Sequence, residues 1–222
     1  MSGAGQKTGV GQQTPADAMS PFNTHAFQIE QALSSVRTTI LVKVVAVEGG
    51  AGALAKAGTV DVLPLVNDLD GAGNASKHIT VFTIPYNRMQ GGKNAIILDP
   101  EVGDVGWAAI ADRDISAAKN SAGQQANPGS YRRFSFADSI YIGGILNAVP
   151  EQYVQFNSDG ITIADNNGNK IEMNSDGIKL TDSSGNELAT GSGGLTYNDV
   201  DIGDDHTHSG VQSGTDDTGP PT

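Results

Sequence analysis

The strongest constraint on this chain is a tandem repeat in its final third. FNSDGITIADNNGNKIE (156–172) lies over MNSDGIKLTDSSGNELA (173–189), and eight of the seventeen positions are identical. The shared residues are Asn157/Asn174, Ser158/Ser175, Asp159/Asp176, Gly160/Gly177, Ile161/Ile178, Asp165/Asp182, Gly168/Gly185 and Asn169/Asn186. A third, degenerate copy starts at Thr190 and puts Gly194, Leu195, Tyr197 and Asp199 on the same columns. A fixed period of this kind marks stacked units, each too small to bury its own apolar face.

Each copy reads turn, strand, turn, strand. SDG and the NNG or SSG tripeptides supply residues that accept positive φ. Apolar residues come as i, i+2 pairs: Val154/Phe156, Ile161/Ile163, Ile171/Met173, Ile178/Leu180, Leu195/Tyr197 and Val200/Ile202. Side chains alternate along a strand, so both members of a pair point the same way. The positions between them are mostly Thr, Lys, Asp, Asn and Glu.

A narrow ribbon of this kind cannot build a core alone. Burying a large aliphatic side chain is worth roughly 1.5–3 kcal/mol. Ordering the backbone costs about 1–2 kcal/mol per residue, so a unit with about four apolar side chains loses that contest. The economical partner is another copy of the same ribbon around a shared axis. The expectation for 151–203 is therefore an intertwined β-helix of several chains, with these twelve apolar residues inside. A single-chain solenoid is the alternative, with three coils close to the minimum for independent stability.

His206-Thr-His208 follows the repeat. If the alternation continues past Val200 and Ile202, both imidazoles share the inner face. Two ligands from one chain are too few for a stable site, but three chains around a three-fold axis bring six imidazole nitrogens. Six neutral nitrogens suit an octahedral first-row ion such as Fe(II) better than tetrahedral zinc. Every position would be filled by protein, so the ion would be structural. The competing reading is a pair of histidines in a solvated acidic loop, since H-x-H alone is a weak motif.

Charge separates the last third from the rest. The chain carries a net charge of −12, and residues 151–222 hold thirteen acids against two lysines. The first 150 residues are nearly balanced, with twelve acids and eleven bases. Such asymmetry argues for two parts with different roles. An acidic surface repels nucleic acid and anionic headgroups and keeps an extended assembly soluble. Cysteine is absent, which excludes disulfides and thiolate metal sites. The Gly-, Gln- and Thr-rich start has no apolar run, so no ordinary secretory signal is expected there. No stretch approaches the ~20 apolar residues of a membrane helix.

Ahead of the repeat the pattern changes. Ile29, Leu33 and Val36 recur at i, i+4, i+7, predicting a short helix over 24–36. TTILVKVVAVE (38–48), TVDVLPLV (59–66), HITVFTIPY (78–86), NAIILD (94–99) and VGWAAIAD (105–112) read as strands between Gly-rich turns. Five short strands so spaced predict a small closed or partly closed barrel. Residues 113–130 read as a polar loop, and RRFSFADSIYIGGIL (132–146) as a last strand or a connector.

The repeat followed by HTHSGVQSG resembles the central spike proteins of contractile-tailed bacteriophage baseplates. GTVDVLPLV and DPEVGDVGWAAIADRDIS resemble the N-terminal oligonucleotide/oligosaccharide-binding-type (OB) barrel of the same membrane-piercing proteins. The likeness spans about 190 residues. It implies a mainly β homotrimer: a barrel that attaches to the baseplate hub, then a triple-stranded β-helix that narrows to an apex. There six histidines, His206 and His208 from each chain, would hold one iron. Calcium and chloride near the apex are also implied, with no ligands identified here. Such a spike is a virion component, made in the host cytoplasm, and it is driven through the host outer membrane when the sheath contracts. It is not an enzyme and takes neither nucleic acid nor a small-molecule substrate.

The expected organisation is a flexible arm (1–22), an OB-type barrel with a short leading helix (23–131), a connector (132–150), the trimeric β-helix (151–203), and a metal-binding apex with a fold-back tail (204–222). Some relatives carry a lysozyme domain between barrel and β-helix, for which no room exists here. Others use a separate tip protein, whereas the HTH motif implies that this chain makes its own.

Other candidate chemistry is weaker. His25 and His78 read as structural or surface residues. Asp99, Glu101 and Asp104 lie in a Pro/Gly turn. Asp165, Asn166, Asn167 and Asp182 could offer oxygens to calcium, but the spacing of a calcium loop is missing and turn chemistry is preferred. GGAGALAKAG lacks a phosphate-loop ending. Rival functions are a type VI secretion-like spike, a tail-fibre adhesin with Tyr153 and Tyr197 as its aromatic platforms, or a metal-dependent cell-wall hydrolase.

Overall fold

The computed structural model describes residues 13–50, 54–70, 73–121 and 123–203, together with His206, Gly210 and Gly214. His208, most of the expected fold-back tail and most of the expected N-terminal arm lie outside the described residues. The chain is mainly β and divides into two units, Met1–Asn147 and Ala148–Thr222.

The first unit opens with helix α1 (Pro21–Ser34). It starts three residues earlier than the apolar spacing predicts, because its start signals lie outside that spacing. The Ser20 side chain accepts a hydrogen bond from the Asn23 backbone N–H at 3.2 Å, and Pro21 brings a helical φ to the first position.

Strands β1 (Thr39–Glu48) and β2 (Thr59–Pro64) form an antiparallel pair. Two short hairpins stand outside the main sheet. One joins β3 (Asp68–Leu69) to β4 (Ala75–Ser76). The other joins β6 (Met89–Gly91) to β7 (Asn94–Ile96). Between the hairpins runs β5 (Val81–Pro85), after them β8 (Val105–Ile110), and later β9 (Ser139–Ile142). The main sheet has the order β5-β2-β1-β8-β9. Its two edges meet through a parallel bridge between Tyr86 and Tyr141, with the Asn87 N–H donating to the Tyr141 carbonyl at 2.8 Å. The result is a five-stranded, partly closed barrel.

The five strands differ from those expected in one place. The segment 94–99 is not a barrel strand; Gly92, at φ +59°, turns it back on β6 as a hairpin. Its place is taken by β9, drawn from the stretch read as a last strand or connector. Of the predicted strand 78–86, Val81–Pro85 is observed, with a distortion inside it at Thr83, where φ is +58°. The Thr83 N–H displaced from the ladder donates instead to the Asp61 carboxylate at 2.8 Å.

Inward-pointing residues fill the barrel: Val42 and Val44, Val60 and Val62, Ile84 and Tyr86, Ala108, and Tyr141. Gly106 is required where it stands. A Cβ there would overlap the Ile142 carbonyl and the Tyr141 ring.

Most of the loop 111–138 is irregular apart from helix α2 (Ser116–Asn120), yet it is pinned. The Arg132 guanidinium bonds Asp138 at 2.6 and 2.9 Å and Asp114 at 3.0 Å. Both carboxylates are buried. Hydrogen bonds from Ser116 and Ser130 hold the Asp114 carboxyl down at about 2.

The second unit is one antiparallel meander: β10 (Tyr153–Phe156), β11 (Gly160–Ala164), β12 (Lys170–Asn174), β13 (Gly177–Thr181), β14 (Glu187–Gly191), β15 (Gly194–Tyr197) and β16 (Val200–Asp201), in that spatial order. The repeat is thus a hairpin unit with two kinds of turn. At the tight turn, Gly160 and Gly177 adopt φ of +151° and +137°, and a Cβ on either would overlap the carbonyl of Met173 or Thr190. At the wide turn, Asp165 Oδ1 accepts from the N–H groups of Asn167 and Asn169, each at 2.9 Å. Asp182 does the same with Ser184 and Asn186, at 2.8 and 2.9 Å. The degenerate third copy departs here. Asn198 and Asp199 make a two-residue turn with φ of +48° and +62°, so Asp199 does not repeat the role of Asp182.

Candidate functional site

The register of the meander sorts its side chains. Directly opposed residues on adjacent antiparallel strands share a face. One line of partners runs Phe156, Ile161, Met173, Ile178, Thr190, Leu195. Ile202 continues it, its N–H donating to the Leu195 carbonyl at 2.9 Å. A second line runs Val154, Ile163, Ile171, Leu180, Leu188, Tyr197, Val200. The result is two parallel apolar columns crossing the whole ribbon on one face.

All twelve residues expected inside the β-helix fall on these two columns. Sequence reasoning missed a thirteenth, Leu188. The seventeen-residue offset places Leu188 under Ile171, so the signal was present in the repeat itself. The same offset places Thr190 under Met173, the one polar position in either column.

Among the described residues of one chain, nothing covers this face. Phe156 is 75% exposed, Val200 62% and Ile178 47%. An exposed apolar strip of this length marks an interaction surface. The opposite face is polar, with Glu172 opposite Lys179 and Lys179 bonded to Glu187 at 3.0 Å.

Asparagine side chains link successive wide turns. The Ser183 N–H donates to Asn169 Oδ1 at 3.0 Å, and Asn198 Nδ2 donates to Asn186 Oδ1 at 3.1 Å. The Asn169 amide and the surrounding N–H groups hold the Asp165 carboxyl at about 2, and Asn186 lowers Asp182 in the same way. These carboxylates accept the hydrogen bonds that close the turns.

β16 ends at Asp201, and His206 lies beyond it with no strand assignment. Its backbone N–H donates to the Gly203 carbonyl at 3.4 Å, and its ring Nδ1 approaches the same oxygen. A carbonyl only accepts, so Nδ1 is the donor in this contact and Nε2 is the ring nitrogen outside it. A backbone carbonyl that fixes the tautomer in this way is the usual support of a metal-ligating imidazole. The described half of the pair therefore has donor chemistry that fits a first-row ion. Among the described residues no cluster of three or more His, Cys, Asp or Glu within one chain forms a metal site.

The other candidates have structural surroundings. His78 packs edge-on against Phe136, with ring centroids 5.3 Å apart. The Arg88 guanidinium grips Asp99 at 2.7 and 2.8 Å. Asp104 accepts from the Glu101 N–H at 2.9 Å. His25 is exposed on α1, its Nδ1 3.4 Å from Gln28 Oε1. No helix among the described residues is long and apolar enough to cross a membrane.

The chain matches no protein-family model and no curated protein.

Proposed function

We propose that this chain is the central spike of a contractile-tail baseplate, acting as a homotrimer that pierces the bacterial outer membrane. The observation that carries the reading is the pair of uncovered apolar columns on a ribbon only two apolar side chains wide. Three such ribbons wound about a common axis cover one another's columns and turn their polar faces outward. Interchain burial then supplies the core that the single chain lacks, at roughly 1.5–3 kcal/mol for each large side chain covered.

The remaining parts take roles in keeping with that design. The barrel is of the OB type: β1, β2 and β5 follow as a meander and β8 returns beside β1, a Greek-key order. It is the end that attaches to the hub. His206 and His208 of three chains hold one iron at the apex, where the ion supplies a rigid six-ligand clamp and no chemistry on a substrate. An acidic exterior is repelled by anionic headgroups and so does not stick as the spike passes. The spike belongs to the virion baseplate and carries no enzymatic activity.

Sedimentation equilibrium of the full chain tests this reading. The expected mass is three times the 22.8 kDa of one chain, with a trimer that resists SDS without heating. A monomer would end the proposal.

A further inference from the structure

Asn167 and Gly168 form the only Asn-Gly pair in the sequence. They sit at the tip of the first wide turn of the ribbon, between β11 and β12, and both are exposed. Asp165 Oδ1 closes this turn by accepting from the N–H groups of Asn167 and Asn169. The N–H between them, that of Gly168, makes no hydrogen bond among the described residues. The Asn167 side chain has one long contact, its Nδ2 lying 3.4 Å from Asp165 Oδ2. Gly168 stands at φ +94°, and a Cβ placed on it would meet nothing nearer than 3.8 Å, so its nitrogen is unshielded.

The other glycine turns of the ribbon differ. In the second copy Ser184 replaces Asn167, and the Gly185 N–H donates to the Asp182 carbonyl at 3.0 Å. At the first tight turn Asp159 precedes Gly160, whose N–H donates to Asn157 Oδ1 at 2.9 Å. The first wide turn joins an exposed side-chain amide to a glycine nitrogen that no hydrogen bond engages. Asparagine is thermolabile for the reason this pairing makes plain.

We propose that Asn167 is a site of spontaneous deamidation, and that its conversion to isoaspartate loosens the ribbon. Hydroxide removes the Gly168 N–H proton, and the nitrogen attacks Asn167 Cγ. A C–N bond forms, the ring closes as a cyclic imide, and the side-chain nitrogen takes a proton from water and leaves as ammonia. A water molecule then opens the imide. Cleavage at Cγ gives aspartate. Cleavage at the backbone carbonyl carbon gives isoaspartate, whose chain runs through Cβ and Cγ. That product lengthens the backbone inside the turn, so Asp165 Oδ1 no longer meets the Asn167 and Asn169 N–H groups together. The Asn169 Oδ1 that accepts from the Ser183 N–H at 3.0 Å shifts with it. Either product also sets a second carboxylate near Asp165, and like charges so placed repel.

The test holds the full-length chain folded at mildly alkaline pH and digests samples at intervals. Mass spectrometry, with fragmentation that separates isoaspartate from aspartate, reads each asparagine. The expected result is conversion of Asn167 ahead of Asn166, Asn169 and Asn186, release of ammonia, and a lowered denaturant midpoint for the aged protein. Asn167→Ser, which copies the second repeat, should abolish both the mass change and the loss of stability. Ser184→Asn sets the same pair where the glycine N–H is bonded, and it should convert more slowly than Asn167. An Asn167 that stays intact in the folded chain while converting in the urea-unfolded chain overturns the proposal. So does equal conversion of all four asparagines, or a Ser184→Asn site that converts as fast as Asn167. Conversion of Asn167 with an unchanged midpoint also overturns it, because the ribbon then does not depend on this turn.

Discussion

Ile171 and Leu180 stand directly opposite each other on β12 and β13, at the middle of one apolar column. Leu180 in turn faces Leu188 on β14. A charge at this point meets apolar neighbours on both sides within the chain and, in the proposed trimer, the columns of two other chains. Burying an unpaired carboxylate costs more than the column can supply. Leu180→Asp is therefore expected to convert the trimer to monomers by sedimentation. Lys179→Gln, one residue away on the polar face, removes only a solvent-screened ion pair with Glu187. It should leave the mass at three chains. If Leu180→Asp remains a trimer, the columns are not the interface.

The tight turns make a second prediction. Gly177 combines φ +137° with a position where a Cβ would overlap the Thr190 carbonyl. The strained φ alone costs about 1–3 kcal/mol, and the overlap pushes β13 away from β14. Gly177→Ala should lower the denaturant midpoint of the ribbon clearly. Gly193 has open space around it and no positive φ, so Gly193→Ala should change stability by less than about 0.5 kcal/mol. Equal effects would mean that turn geometry does not limit this fold.

The repeat made the ribbon legible because its period fixes register. Once Phe156 is placed over Met173 and Ile161 over Ile178, the columns follow, and even the overlooked Leu188 is one offset from Ile171. The barrel was legible as strands but not as pairings. NAIILD and SIYI have similar composition, and only the Gly92 turn and the Tyr86–Tyr141 bridge decide which one closes the sheet. The Arg132 clamp could not be read at all. Its partners lie 18 and 6 residues away in an irregular loop, and no periodicity announces a contact made by loop geometry. The apex was legible as donor types only, and the Gly203 carbonyl that sets the His206 tautomer comes from a bend no motif describes.

The wide turns should be sensitive to acid. The folded carboxyl of Asp165 sits at about 2, below its ordinary 3.8, because Asn169 and neighbouring N–H groups bond its charged form. Asp182 is shifted in the same direction. A depressed folded value means a contribution that is present above the unfolded value and lost as pH falls toward the folded one. The ribbon should hold its stability down to about pH 4 and lose part of it between about pH 4 and 2. An Asp165→Ala, Asp182→Ala double variant should be weaker at neutral pH and show a flatter profile across that window. Chemical denaturation at a series of pH values reads both.

Removing Arg132 should unfold the loop 111–138 while leaving the ribbon in place. Asp138 is fully buried and Asp114 nearly so, and Arg132 is the cation that bonds both. Deleting Arg132 leaves two buried carboxylates without the cation that bonds them. Arg132→Lys should recover little, since an ammonium cannot make the forked contacts of a guanidinium. Limited proteolysis would then cut near residues 120–130 in Arg132→Ala and spare the strands of the second unit. Resistance equal to the parent chain would show that the clamp is dispensable.

The apex makes the last prediction. The His206 Nδ1 faces the Gly203 carbonyl, which leaves Nε2 as the ring nitrogen for a first-row ion. On the proposed reading, His206 and His208 of three chains supply six imidazoles, an octahedral set. Elemental analysis of the purified trimer should find about one iron for every three chains, the count set by six imidazole ligands. A His206→Ala, His208→Ala double variant should contain none. Its mass should stay at three chains, because thirteen apolar side chains in the columns, not two imidazoles, carry the association. Metal retained by the variant would place the ion elsewhere. Loss of the trimer together with the metal would mean that the clamp, and not the ribbon, holds the chains together.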